Sequence, residues 1–110
     1  MLFLFKVLFL LDFQVEYSAT MSQQDLFQIW TEEADAALNA KQAGVVVDLW
    51  KCVGERRVIA IVQIDSVDTL DQILFTLPIM QKMGQHVQIK VTALRRYEDF
   101  AADLKTWIEK

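Results

Sequence analysis

The sequence predicts a mixed α+β fold, with four strands and two helices in the order β-α-β-β-α-β and a third helix after them. Three observations predict it. Residues 43–78 read as a strand, a tight turn, a second strand and a capped helix. A long apolar run comes before the first helical stripe. After the second helix an alternating strand leads into an amphipathic helix.

The opening run MLFLFKVLFLLDF has the hydrophobicity of a targeting segment. Lys6 interrupts it, however, no basic segment precedes it, and only Ser18-Ala19-Thr20 approaches a cleavage signature. It is too short to cross a bilayer as a helix. Its Phe, Leu and Val content predicts a strand buried on both faces. Ser22 is placed to cap a helix, with Asp25 three residues on where a carboxylate reaches back to the cap. Leu26, Ile29, Trp30, Glu33, Ala34, Ala37 and Leu38 then share one helical face. Gly44 is the left-handed stop.

Residues 45–52 form the next expected strand, Val53-Gly54-Glu55-Arg56 the turn, and 58–64 the returning strand. Asp65 or Ser66 caps a second helix carrying Val67, Leu70, Ile73, Leu74 and Leu77, and Pro78 closes it. Residues 80–84 read as a loop. Residues 85–94 alternate as a fourth strand, with Val87, Ile89 and Val91 on one side and Gln88 and Lys90 on the other. Residues 97–109 form a last helix with Phe100, Leu104, Trp107 and Ile108 on one stripe.

This order is the ferredoxin-like β-α-β-β-α-β sandwich with an extra C-terminal helix. The expectation is one domain over 1–110, with its core in 1–94 and the helix at 97–109 appended. Two helices on one face of a four-stranded sheet leave the other face bare. The chain is 54% hydrophobic, with three Trp and seven Phe in 110 residues, more apolar surface than so small a domain readily buries. A second copy covering the bare face is therefore expected, a homo-oligomer built as a dimeric α+β barrel. A net charge of −4 speaks against nucleic acid and anionic membrane as partners. One Cys excludes an internal disulfide, and one His argues against a metal site. The expected compartment is the cytoplasm.

Among candidate functional residues Glu33 stands out, because it lies on an apolar stripe beside Trp30, Ala34 and Ala37. A carboxylate in an apolar pocket has its pKa raised by desolvation and can take a proton from one carbon and return it to another. The alternative is a rim carboxylate paired with Lys6 or Arg56. Lys6 interrupts a hydrophobic strand and suits an anchor for a ligand carboxylate, or a lysine that snorkels to water. Asp48 and Trp50 share one strand face and suit a pocket wall, a mouth or core packing. His86 and Arg56-Arg57 read as surface groups, Cys52 as a small core residue, and Arg95-Arg96 as a contact for an acidic partner.

The chain resembles the muconolactone isomerases as far as Leu94. Met1-Leu2-Phe3 with Lys6 is similar to the family's opening strand. Gly44, Leu49-Trp50 and Gly54 match its helix stop and second strand. Ser66-Val67, Leu70, Leu74 and Leu77-Pro78 match its second helix, with Met83 after it. The resemblance implies the same fold and a reaction that moves a double bond in a small lactone without metal or organic cofactor. It places Glu33 at the family's proton-shuttling carboxylate. Asp48 stands where the family's enzymes have His, and an ionised carboxylate there only accepts hydrogen bonds and repels a carboxylated substrate. The fourth-strand region is a few residues longer than the family's, and the last helix has no counterpart in the resemblance. Two readings are open: an isomerase with Glu33 catalytic and Lys6, Asp48 and Trp50 around the substrate, or a non-catalytic module of the same fold that binds a small ligand or assembles into oligomers.

Overall fold

The computed structural model describes residues 6–108; Met1-Leu2-Phe3 lie outside them. Strand β1 (Val7–Val15) leads to helix α1 (Gln23–Gln42), then β2 (Val46–Lys51), β3 (Arg57–Ile64), α2 (Val67–Thr76), α3 (Pro78–Met83), a 3-10 turn (Gly84–His86), β4 (Val87–Leu94) and α4 (Tyr97–Ile108). The sheet runs β2-β3-β1-β4, and every neighbouring pair is antiparallel. β1 and β2 are thus mutually parallel and joined by α1. β3 and β4 are likewise parallel and joined by α2 and α3.

Local chemistry sets the element ends. Asp25 N–H donates to Ser22 Oγ at 3.1 Å, and Ser22 N–H donates to the Asp25 carboxylate at 3.2 Å. This reciprocal capping box starts α1. Ser66, not Asp65, caps α2, accepting from Thr69 N–H at 3.1 Å. Gly44 (φ 83) and Gly54 (φ 76) take the left-handed conformation that ends α1 and turns β2 into β3.

Residues expected to form a loop after Pro78 are instead α3 and its 3-10 continuation. Pro78 occupies the first turn of α3. Its missing N–H costs nothing there and its fixed φ suits the helix, so it ends one helix and begins the next.

β1 is packed by helices on one face only, not on both. Phe9, Leu11 and Val15 are buried beneath the helices, while Leu8, Leu10 and Asp12 are half-buried on the other face. Cross-strand register extends this second face through Ile59, Ile61, Trp50 and Leu94. A bulge at Val47 shifts the pairing between Val46 and Asp48. As a result Val46 and Leu49 both serve the helix side.

The core has two parts. Phe9, Leu11, Val46, Ala60, Val62, Ile64 and Leu70 pack between the sheet and α2. Val15, Leu26, Ile79, Met83 and Val87 pack where the start of α1, α3 and β4 meet. Leu26 and Met83 are fully enclosed, each contributing roughly 1.5–3 kcal/mol by burial. α4 joins neither part and has no buried residue.

The bare face carries one tight ion pair. Arg57 grips Asp12 with two hydrogen bonds, Nε to Oδ1 at 2.9 Å and Nη2 to Oδ2 at 2.6 Å. These bonds hold the Asp12 carboxyl below its usual range and the guanidinium above its own, against a smaller opposing effect of burial. A depressed folded-state pKa stabilises at neutral pH, and the stabilisation is lost as pH falls through that pKa. Asp12→Asn should therefore melt below wild type at pH 7, and the gap should close as both are acidified below the carboxylate range. Identical melting temperatures at pH 7 would show the pair to be inert.

Candidate functional site

Between α1, the α2–α3 pair and the helix side of the sheet lies an apolar cavity of about 470 Å³. The composition of α1 accounts for it. At its N-terminal end Leu26 reaches the core and closes the gap to α3 and the sheet. Further along, Ala34, Ala36, Ala37 and Ala40 face the same space. Alanine is too short to reach the sheet, so the helix stands over a gap instead of a filled core. Leu11, Phe13, Ala60 and Val62 form the floor, and Ile73, Leu74, Leu77 and Ile79 the far wall. Phe27, Leu38 and Trp50 stand exposed and also line the cavity.

Among the described residues Glu33 is the only carboxylate that lines the cavity. It projects from the alanine-rich half of α1, one turn beyond Ile29 and Trp30, and accepts a hydrogen bond from Ile79 N–H at 3.2 Å. That donor needs a partner for a local reason. Leu77, at the N-cap of α3, offers no side-chain acceptor, and Pro78 has no N–H. Ile79 is buried, and Glu33 supplies from another helix the cap that α3 lacks. Burial in apolar surroundings pushes the Glu33 carboxyl above its ordinary value, and the Ile79 bond offsets only part of the rise. No salt bridge to Glu33 is found among the described residues.

The other sequence candidates fall in several places. Trp50, on the edge strand β2 with 61% of its surface exposed, borders the cavity at the sheet edge, although its register opposite Ile59 puts it on the bare-face side with Asp48. Asp48 lies opposite Ile61 on the bare sheet face and does not line the cavity. Lys6 is exposed ahead of β1 and does not line it either. Arg56 stacks over the Tyr17 ring at 4.2 Å and Arg57 holds Asp12, so neither arginine of the turn is merely solvated. Arg95 pairs with Asp103 at 2.6 Å. His86 is part of the 3-10 turn, where its carbonyl accepts from Glu16 N–H at 2.8 Å.

Lys51 is a site residue that the sequence candidates do not include. Among the described residues it is the one cation lining the cavity, with its ammonium on the Cys52 carbonyl at 2.8 Å. Strand alternation with Leu49 is the signal that points to it. Among the described residues no cluster of His, Cys, Asp and Glu could hold a metal ion, and no helix is long and apolar enough to cross a membrane.

A sequence model of the muconolactone delta-isomerase family matches residues 7–99. The chain belongs to the muconolactone delta-isomerase family. A crystal structure of muconolactone isomerase superposes with a TM-score of 0.68 at 24% identity, over 81% of this chain and 88% of that one. No curated protein matches. The fold of the family, a mixed α+β unit on a four-stranded antiparallel sheet, is thus the fold described above, and the chain is muconolactone isomerase-like. Glu33, Lys51 and the whole cavity lining fall within the family match. Lys6 and all of α4 beyond Asp99 fall outside it.

A carboxylate whose folded pKa is raised favours the folded state below its unfolded pKa and loses that contribution as pH rises through the folded value. Glu33→Gln keeps an oxygen for Ile79 N–H and removes the desolvated charge. It should melt at or above wild type at pH 7. Glu33→Ala strands a buried N–H and should cost roughly 1 kcal/mol, the low end for such a group because the cavity is open. Chemical denaturation of the three proteins checks the order; a Gln variant less stable than the Ala variant would contradict it.

Proposed function

We propose that the chain catalyses migration of a carbon–carbon double bond in a small unsaturated lactone, with Glu33 carrying the proton. The observation that supports this reading is a single carboxylate, raised in pKa, set in the wall of an otherwise apolar cavity of small-ligand size. Above its pKa Glu33 is a base stronger than an exposed glutamate. It removes a proton from a carbon made acidic by the lactone carbonyl, directly or through a conjugated double bond. The electron pair moves onto the carbonyl oxygen as an enolate. The carboxylic acid so formed returns the proton to a different carbon of the same conjugated system, and the double bond has moved. No electrons are gained or lost overall, and no cofactor is needed for the proton balance.

The Ile79 N–H holds one carboxylate oxygen and leaves the other free for the proton. Apolar walls exclude water from the enolate. Lys51 is the proposed electrostatic partner for the enolate or for a carboxylate on the substrate, with Trp50 beside the cavity only at the sheet edge. In this reading Lys6 and Asp48 reach a substrate only from another copy of the chain, since neither lines its own cavity. A homo-oligomer in the cytoplasm, with a second copy over the bare sheet face, completes the proposal.

The test is a panel of unsaturated lactones in deuterated water, read by ultraviolet absorbance and by deuterium incorporation. Glu33→Gln should lower the rate on the order of a hundredfold or more. The wild-type rate should rise with pH through a pKa above that of an ordinary glutamate and then level off. Lys51→Met should mainly raise KM if it holds a substrate carboxylate, or mainly lower kcat if it holds the enolate. Wild type and Glu33→Gln equally inert on every compound would sink the catalytic reading in favour of a ligand-binding module.

A further inference from the structure

We infer that the substrate is an unsaturated lactone bearing an apolar arm of about six or more carbons, and that this arm lies in the cleft between α1 and α2. The inference deepens the reading of the Glu33 cavity as a substrate site and, for turnover, rests on it.

The cavity is larger than a small lactone needs. At the ~30 Å³ that one water molecule occupies in the liquid, 470 Å³ holds roughly fifteen non-hydrogen atoms. An unsubstituted lactone ring with its carbonyl oxygen supplies about six of these, so more than half of the space is left for a substituent.

The polar groups stand at one end. Glu33 is held by Ile79 N–H, and Ile79 packs with Val15 and Leu26 where α1, α3 and the end of β1 meet. Lys51 lies opposite Val58, which in turn lies opposite Phe13 near that same end of β1. Among the described residues no other charged side chain lines the cavity. The reacting ring belongs at this end, with its acidic carbon toward Glu33.

The rest of the cavity is apolar and runs away from Glu33. α1 returns from the end of β1, and α2 returns from the end of β3, which is antiparallel to β1. The two helices are therefore antiparallel, and the C-terminal half of α1 lies level with the beginning of α2. α3 ties their other ends together, bonded to α1 through Glu33 and continuous with α2 at Pro78. From Glu33, α1 continues through Ala37 to Ala40, roughly 10 Å of helix. Along that stretch the alanines and Leu70, Ile73 and Leu74 of α2 line the same space. No group there can satisfy a carboxylate or hydroxyl, and burying one without a partner is costly. Each methylene that leaves water for this cleft strengthens binding roughly fourfold. An apolar arm is the substituent that gains most from it.

Two series of lactones test the inference, one unsaturated and reactive, the other saturated and inert, each carrying an unbranched alkyl arm from methyl to octyl. Calorimetry on the saturated series should show affinity rising by on the order of a hundredfold or more from methyl to hexyl, and kcat/KM on the unsaturated series should rise with it. The methyl carbon-13 resonances of Ile73 and Leu74 in the wild-type protein should shift with the hexyl lactone and stay in place with the methyl one. Ala37→Leu exchanges one strong helix former for another and fills the cleft, so it should hold the hexyl lactone to within about tenfold of the methyl one. Affinity that does not rise with arm length would overturn the inference. So would a rise that leaves the Ile73 and Leu74 methyls unmoved, or one that a folded Ala37→Leu variant retains in full. Length-dependent binding with no turnover of any unsaturated member would keep the arm site and remove the catalytic reading of Glu33. Turnover fastest with the methyl lactone would keep the catalytic reading and remove the arm.

Discussion

The hydrogen bond from Ile79 N–H to the Glu33 carboxylate is the contact on which the site depends. It joins α1 to α3 across a gap that side chains do not fill. It supplies α3 with the cap its own sequence lacks, and it holds a carboxylate in apolar surroundings where its charge is poorly solvated. The last point is a cost to stability and, in the proposed reaction, the source of basicity. A fully solvated Glu33 would be a weak base, and one paired with a cation would be weaker still. A single neutral donor orients it while leaving its pKa raised.

The cavity and its carboxylate arise from one short piece of sequence. Trp30 to Ala40 alternates large, charged and very small residues along the buried side of α1. Leu26 anchors the helix, the alanines hold it off the sheet, and Glu33 occupies the space so made. Apart from Lys51, the sheet supplies a smooth apolar floor, because its strands alternate and the Val47 bulge restores Leu49 to the helix side. Specific chemistry therefore resides on α1, α3 and the Lys51 end of β2, while β1 and β3 provide rigidity.

Much of this is legible in the residues. The Ser22–Asp25 box, the two glycine turns and the stripes of α1, α2 and α4 announce the element order, and that order implies the sheet. What escapes has physical causes. Pro78 signals a helix end and a helix start equally well, and α3 is too short for a periodicity to show, so its residues read as a loop. The apolar opening run suggests burial on both faces because composition does not reveal how many layers a sheet will carry. The inward turn of Glu33 is visible in its stripe, but its partner is not: Ile79 lies 46 residues away and uses a backbone N–H, which no side-chain pattern encodes. Lys51 is less conspicuous than Lys6, which interrupts an apolar run, although only Lys51 lines the cavity. Asp48 suits a pocket wall by strand alternation until the register places it on the bare side of the sheet, away from Glu33.

The central claim is that Glu33 is a desolvated base held by one neutral donor. Carbon-13 NMR of the side-chain carboxyl, assigned by its loss in Glu33→Gln and followed from pH 3 to 8, measures it directly. The account predicts a titration midpoint clearly above that of the chain's exposed glutamates, with the Ile79 amide resonance moving through the same midpoint. A Glu33 midpoint at or below the exposed residues, with the Ile79 amide unmoved, would contradict it.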